Sequence, residues 1–275
     1  MGADPNSAEG IALLADRLFE AERARRPVPP LTDEFPGLGL TAAYRIQQAN
    51  IDRRTAAGDR LAGHKIGLTS KAMQEKFGVD VPDYGHLLES MWLPTGQPLD
   101  LGELIDPQIE VEPAFFLGKD LAGPGLTIED VLAATEFITV CFEVIDSRII
   151  DWQIKLQDTV ADNGSSARFV LGEAKLSPLM PGLEDLHTEL SLDGRIVATG
   201  STGAILGHPA NGIVWLGNTL AEYGVALEAG QVVLPGTCIR SFRVGRVASA
   251  GARIAGLGEV RLGFRGSPAV SSSES

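Results

Sequence analysis

The stretch that most restricts how this chain can fold is IDPQIEVEPAFFLGK, residues 105–119. It alternates with the period of a strand: Ile109, Val111, Phe115 and Leu117 fall on one face, and Glu110, Glu112, Ala114 and Phe116 on the other. A second apolar run, TVCFEVIDSR (139–148), also reads as a strand and puts Glu143 on a face with Cys141 and Ile145. Carboxylates on apolar strands are costly to bury unless something compensates them. Two arrangements resolve the conflict. The glutamates can lie on solvated sheet faces, or they can gather around a hard divalent cation, because oxygen-only ligands suit Mg²⁺ or Mn²⁺. Alternation alone leaves both open.

The 275 residues fit one large domain, or a domain with a small appendage, and 44% hydrophobic content is ample for a packed core. A formal charge of −13 excludes the net positive field that would attract nucleic acid. A small anion remains compatible if a metal or a local lysine supplies positive charge. The two cysteines, Cys141 and Cys238, each sit in an apolar run and read as small buried thiols, which fits a reducing cytoplasm. The N-terminus lacks a basic region followed by an apolar run, and no window approaches eighteen apolar residues, so neither a signal peptide nor a membrane span is expected.

Residues 7–26 read as an amphipathic helix capped by Ser7, 26–39 as a Pro/Gly connector, and 41–57 as a second helix opened by Thr41. Residues 61–68 read as the first strand of the main body. A short helix capped by Thr69 or Ser70 follows, stopped by Gly78, and then a loop over 79–88. Thr127 and Asp130 form a capping-box pattern for a helix over 127–135. Residues 149–169 read as an extended segment running into a polar loop. Asp193-Gly194 signals a hairpin, and 209–223 a helix with Ile213, Leu216, Leu220 and Tyr223 buried. Closing strands are expected at 231–234, 238–244 and 260–264, and a disordered Ser-rich tail at 268–275. The histidines show no metal-ligand spacing, and Trp152 and Trp215 read as core. Strands outnumber helices without regular alternation, which favours an α+β fold with a mixed sheet over a doubly wound one.

Seven segments, in order, resemble the 2-keto-4-pentenoate hydratases of the fumarylacetoacetate hydrolase superfamily: GHKIGLTSKAM (63–73), PDYGHLL (82–88), IEVEPAF (109–115), FEVIDSRI (142–149), DTVADNGSSA (158–167), LGHPANGIVWL (206–216) and AGQVVLPGT (229–237). The resemblance implies a mixed β-sandwich-like roll over 61–267 behind an N-terminal helical region, 1–60, and a homo-oligomer, in several members a pentamer or a pair of pentamers. It implies Glu110, Glu112 and Glu143 as ligands of Mg²⁺ or Mn²⁺, Lys65 as the active-site lysine, Asp83 as an acid/base, and Leu68 and Ser165 as substrate contacts. Arg240 lies in a segment that lines the substrate end in resembling hydratases. Gly164 stands where the family's pattern has Ala, which loosens the serine's loop. On this reading Ala114 and Phe116 wall the metal site.

The implied substrate is a 2-hydroxy-2,4-dienoate, and the product a 4-hydroxy-2-oxo acid that a downstream aldolase can cleave. Water adds at C4 only once C4 is electrophilic, so the dienol must first take a proton at C5 and become a conjugated 2-oxo acid. Asp83 or Lys65 can carry that proton. Two enzymes with the same metal triad are alternatives: a 4-oxalocrotonate-type decarboxylase, for whose second carboxylate only Arg240 is available, and a 2-oxo-heptenedioate hydratase. A non-catalytic partner subunit is the alternative of another class, and the intact Glu110, Glu112, Glu143, Lys65 and Asp83 argue against it.

Overall fold

A computed structural model describes residues 4–270. The chain opens with helices α1 (Ala8–Ala24), α2 (Leu31–Glu34) and α3 (Leu40–Ala56). Ser7 caps α1 by accepting the Gly10 N–H, and Ile11, Leu14 and Leu18 are buried. Thr41 does not cap α3. The helix starts one residue earlier, behind Gly39, whose N–H donates to the Asn6 side chain. The connector contains α2 because a distant carboxylate holds it: Asp158 accepts from the Thr32 N–H (3.0 Å) and hydroxyl (2.7 Å).

The main body begins with β1 (Leu61–Gly67), α4 (Lys71–Phe77) and β2 (Asp83–Leu88). Ser70 caps α4 and a left-handed Gly78 ends it. The loop expected over 79–88 is therefore corrected, since its second half is a strand. β2 pairs antiparallel with β1, with Asp83 opposite Gly67 and Gly85 opposite Lys65. Pro82 ahead of it and Gly85 within it hide the local strand signal, and the partner strand supplies what propensity lacks.

Next come β3 (Leu99–Asp100), β4 (Gln108–Leu117), α5 (Ile128–Ala134) and β5 (Thr135–Ile145). The Thr127/Asp130 capping box opens α5. A second correction is α6 (Leu156–Ala161), which lies where an extended segment was expected. Its start is tied by Asp158 accepting the Lys155 N–H. β6 (Ser166–Leu171) follows, then the hairpin β7 (His187–Leu192) and β8 (Arg195–Ser201), whose turn residues Asp193 and Gly194 both have positive φ. α7 (Ala210–Ala221) buries Ile213, Leu216 and Leu220, whereas Tyr223 lies beyond its end and is 73% exposed. The chain closes with β9 (Val232–Leu234), β10 (Phe242–Arg243), β11 (Ser249–Ile254) and β12 (Gly258–Arg265). β10 is much shorter than expected, and β11, with its sequence SAGARI, carries too little apolar bulk to be visible as a strand. Of the tail, 271–275 lie outside the described residues, while the Ala269 and Val270 N–H groups bond to the Leu104 and Ile105 carbonyls.

One sheet runs β2-β1-β9-β4-β5-β6 with β10 added beside β4, and a second runs β3-β12-β11-β7-β8. The main core lies between them and takes Ile109, Val111, Phe115 and Leu117 from β4. On the opposite face, Ala114 and Phe116 join Leu87, Cys141, Phe169 and Leu234 in a smaller core. A third apolar cluster joins the N-terminal helices to Ile149, Val160 and Ala161. This is a mixed α+β roll, as the resemblance implies. No helix among the described residues is long and apolar enough to cross a membrane.

Candidate active site

β4 and β5 pair antiparallel over ten positions, placing Glu110 opposite Glu143 and Glu112 opposite Cys141. Directly opposed residues share a face, so the three carboxylates converge, each offering an oxygen within 4.8 Å of the others. Like charges placed this way repel one another. Glu143 is 0% exposed, and neither of its carboxylate oxygens has a hydrogen-bond partner. Glu112 accepts one bond, from the Gly236 N–H at 2.8 Å. Gly236 has φ 125°, and a side chain there would collide with Thr69, so this donor can reach Glu112 only from a glycine.

β9 ends at Leu234, which is the register partner of Lys65. The lysine, 4% exposed, extends to Glu143 Oε1 (Nζ at 3.4 Å) and donates to the Gly164 carbonyl (3.2 Å). Burial disfavours its charge, but Glu143, Glu110, Asp83 and Glu112 outweigh that and hold its pKa above the ordinary lysine value. Asp83, 3% exposed at the start of β2, has a buried Oδ1 without a partner. Burial raises its pKa, against the pull of Lys65. A side chain on the facing Gly67 would collide with that oxygen. Burial pushes Glu110 up to about 7, and it pushes Glu112 well above the usual carboxylate range, helped by Glu143 and Glu110.

Four carboxylates face one ammonium here, a balance of −3 when all are ionised. A hard divalent cation fits the residues present: the donors are all oxygen, they converge, both oxygens of Glu143 are buried without a hydrogen-bond partner, and the ion would bring the balance to −1.

Ser165 belongs to a turn in which Asn163, Gly164 and Ser165 are all left-handed (φ 57°, 59° and 56°). Such strain persists only where the surroundings fix it. The Asn163 side chain pairs with the β2 backbone, accepting from His86 N–H (2.7 Å) and donating to its carbonyl (2.9 Å). The Asp146 N–H donates to the Ser165 carbonyl at 2.7 Å. Glycine at 164 therefore suits a left-handed position that also lies against the Lys65 side chain, and the turn is not loose. The Ser165 hydroxyl bonds to Asp162 (3.2 Å), which in turn pairs with the buried Arg148.

A cavity of about 230 Å³ adjoins the carboxylates. Lys65, Asp83, Glu110 and Ser165 line it together with Leu68, Met73, Phe77, Trp152 and Ile154. Of the residues expected at the site, Glu112 and Glu143 lie behind this wall, buried. Arg240 is not brought to it: it is exposed, with its guanidinium 3.9 Å from the Phe242 ring centre. Ala114 and Phe116 do not wall the site either. Phe116 stacks on Phe137 in the smaller core, because the strand carries them away from the cavity. Thr69, Gln108, Thr237 and Ser241 line the cavity without having been expected there, and Trp152, expected in the core, is half-buried and lines it too. The alternation that places Glu110 also places Gln108, two residues earlier, on the same face; the others need the tertiary fold. A larger cavity, about 780 Å³, lies around His64, His86, Tyr44 and Tyr223, away from the carboxylates.

This fold is that of a known family. The chain belongs to the fumarylacetoacetate hydrolase family, whose pattern, described as fumarylacetoacetate (FAA) hydrolase C-terminal, matches residues 88–264. It is 43% identical over 262 residues to a 2-keto-4-pentenoate hydratase of Burkholderia vietnamiensis, covering 95% of this chain and 99% of that protein. It is 45% identical over 229 residues to a 2-hydroxyhexa-2,4-dienoate hydratase of Comamonas testosteroni, covering 82% and 87%. In three dimensions it is similar to 4-oxalocrotonate decarboxylase from Pseudomonas putida G7, complexed with magnesium and adipate, with TM-score 0.89, 34% identity and coverage of 94% and 98%.

Proposed function

We propose that this protein is a hydro-lyase that adds water to a 2-hydroxy-2,4-dienoate, giving a 4-hydroxy-2-oxo acid, and that it works with a divalent cation, Mg²⁺ or Mn²⁺. The observation that carries the reading is the convergence of Glu110, Glu112 and Glu143 beside Lys65 and Asp83 at one cavity. The hydratases at 43–45% identity support the reaction, and the magnesium in the similar decarboxylase supports the cation.

Glu110, Glu112 and Glu143 would hold the ion. When bound, it supplies a Lewis acid for the 2-oxo acid end of the substrate. Lys65 remains an ammonium because the surrounding carboxylates favour its charge. It therefore acts as a fixed positive donor toward the substrate's carboxylate and O2, and not as a base. Asp83, whose burial raises its pKa above the ordinary carboxylate value, is suited to carry protons. As an acid it gives a proton to C5 while O2 loses its own to solvent, forming the conjugated 2-oxo acid. As a carboxylate it then takes a proton from the water whose oxygen bonds to C4, which restores the acid, and C3 takes one proton from solvent in place of the one O2 released. Ser165, held by Asp162, fixes the edge of the cavity nearest Lys65 through the turn that carries the Gly164 carbonyl.

The test is freshly generated 2-hydroxypenta-2,4-dienoate with Mg²⁺, following loss of the dienol absorbance and identifying the product. The expected result is 4-hydroxy-2-oxopentanoate, with turnover lost on chelation and restored by Mg²⁺. Release of CO₂ from 2-oxo-3-hexenedioate without hydration of the dienoate would make the protein a decarboxylase instead. No turnover of either substrate by metal-loaded protein would support a non-catalytic role.

A further inference from the structure

We infer that Gln47, a buried side chain of the N-terminal helix α3, is a positioning residue for the reaction: it holds the strand that carries Asp83 against the helix that leads into the Gly164–Ser165 turn. The inference rests on the hydratase reading above, in which Asp83 moves the protons, and it gives the N-terminal helices a part in that reaction. Gln47 lies outside residues 88–264, which the family pattern matches, and it does not line the cavity beside the carboxylates.

β2 is the edge strand on its side of the sheet, paired with β1 alone. Its outer edge therefore presents backbone groups that no strand satisfies. Two side-chain amides take them. Asn163 bonds to both the N–H and the carbonyl of His86, and Gln47 Nε2 donates to the Tyr84 carbonyl at 3.1 Å. The same Nε2 donates to the Val160 carbonyl at 2.7 Å. Val160 lies in the last turn of α6, where a helix leaves its carbonyls short of intrahelical donors. One nitrogen thus pins β2, at the residue after Asp83, to α6, whose end leads into the turn that carries the Gly164 carbonyl and Ser165.

The orientation of the amide follows from its partners. Both Nε2 hydrogens go to carbonyl oxygens, so Oε1 is left to accept, and His86 donates its Nδ1 proton to it at 2.9 Å. Burial lowers the His86 pKa to about 4, so the ring is neutral near pH 7, and this bond fixes which nitrogen carries the hydrogen. Gln47 is 1% exposed and bonds with both its amide nitrogen and its oxygen. Three residues earlier, on the same helix face, Tyr44 stacks on Tyr84, with 4.7 Å between ring centres and 21° between planes. α3 therefore grips Tyr84 by its carbonyl and by its ring. The neighbouring Asp83 has a buried Oδ1 with no partner, so the placement of that carboxylate relies on the backbone that carries it. Misplacing a reacting group by about 1 Å can cost about a hundredfold in rate.

The experiment is steady-state hydration of 2-hydroxypenta-2,4-dienoate by the metal-loaded variants Gln47→Met and Gln47→Glu, with Asn50→Ala as the control. Methionine keeps the length and loses every bond of the amide; glutamate keeps the acceptor and loses the donated bonds. We expect both to lower kcat by about 30-fold or more with KM within about threefold, because the residue aligns a proton carrier and touches no substrate. Asn50 ties α3 to the Ala15 carbonyl of α1 at 3.0 Å and makes no bond to β2. Asn50→Ala should therefore leave kcat within about twofold. A kcat within about threefold of wild type in folded Gln47→Met, or an equal fall in Asn50→Ala, overturns the inference. Nitrogen-15 NMR of the wild-type imidazoles needs neither turnover nor a variant. His86 should carry its proton on Nδ1, and a proton on Nε2 in its place overturns the clamp. A wild type that shows the Nδ1 tautomer but hydrates no dienoate removes the hydratase reading, and the positioning role with it.

Discussion

Two clusters of buried charge flank the active-site turn, and they are built on opposite terms. In one, Arg148 donates to Asp162, to the carbonyls of Asp146 (2.8 Å) and Ser166 (3.1 Å), and to the Asp162 carbonyl. Asp162 also accepts from the Arg148 N–H (3.0 Å) and from Ser165 (3.2 Å). The neighbouring Asp146 accepts from the N–H groups of Ile105 (2.9 Å) and Asp106 (2.7 Å). In the other, Glu110, Glu112 and Glu143 crowd together with Lys65 at the edge, and both oxygens of Glu143 lack hydrogen-bond partners. Burial raises carboxyl pKa values in both places, Asp162 to about 6 and Glu110 to about 7. A shifted pKa therefore does not distinguish architecture from chemistry here. The number of lone pairs the protein leaves unmatched does.

If that distinction holds, the two clusters fail in different ways when cut. The largest effect is expected from Glu143→Gln, which should lower kcat/KM by ~10³-fold or more at saturating Mg²⁺, with circular dichroism and the melting temperature of the metal-free protein preserved. Activity within tenfold of wild type would remove the triad from the mechanism. Arg148→Met should act through stability instead. Removing one partner of a buried pair costs about 3–5 kcal/mol, read as a lower urea midpoint, and an unmoved midpoint would erase the contrast between the clusters.

The smallest effect concerns pH. The folded-state pKa of Glu110 lies above its ordinary value because of burial. Its contribution to metal-free stability is therefore complete below pH ~4.5 and lost as pH rises through about 7. Glu110→Gln should remove that loss and stabilise the metal-free protein at pH 8 by ~1–3 kcal/mol, a range that allows for its partial exposure. The variant should show no gain at pH 4. A gain of equal size at both values would mean that relief of crowding, and not charge, is responsible.

Much of the site was legible because it rests on local rules. The period of β4 placed Glu110 and Glu112 on one face and their apolar neighbours on the other, and the structure keeps that division. Ser7, Ser70, Thr127 and the Asp193-Gly194 turn were readable from capping and turn chemistry that spans only a few residues. What escaped depends on distant partners. β2 becomes a strand through β1 and the Asn163 side chain. α2 and α6 are fixed by Asp158, whose bond to Thr32 spans 126 residues. Trp152 reaches the cavity through a left-handed pair of residues that no propensity favours. Arg240 shows the converse: it precedes β10, whose pairing with β4 covers only Phe242 and Arg243, and its guanidinium lies over the Phe242 ring instead of at the cavity.

The ten-residue pairing of β4 with β5 carries a further consequence for how this scaffold diversifies. A slip of one residue would turn Glu110 and Glu112 into the main core and Ile109 and Val111 out of it, so the carboxylates of β4 can change face only as a unit. Other lining residues of the cavity, Met73, Phe77 and Trp152, stand on α4 and on the left-handed pair Asp151 and Trp152, outside that ladder. Substitutions there can reshape the cavity while Glu110, Glu112 and Glu143 stay where they are. The carboxylate cluster and the rest of the cavity lining are thus inherited on separate pieces of the chain.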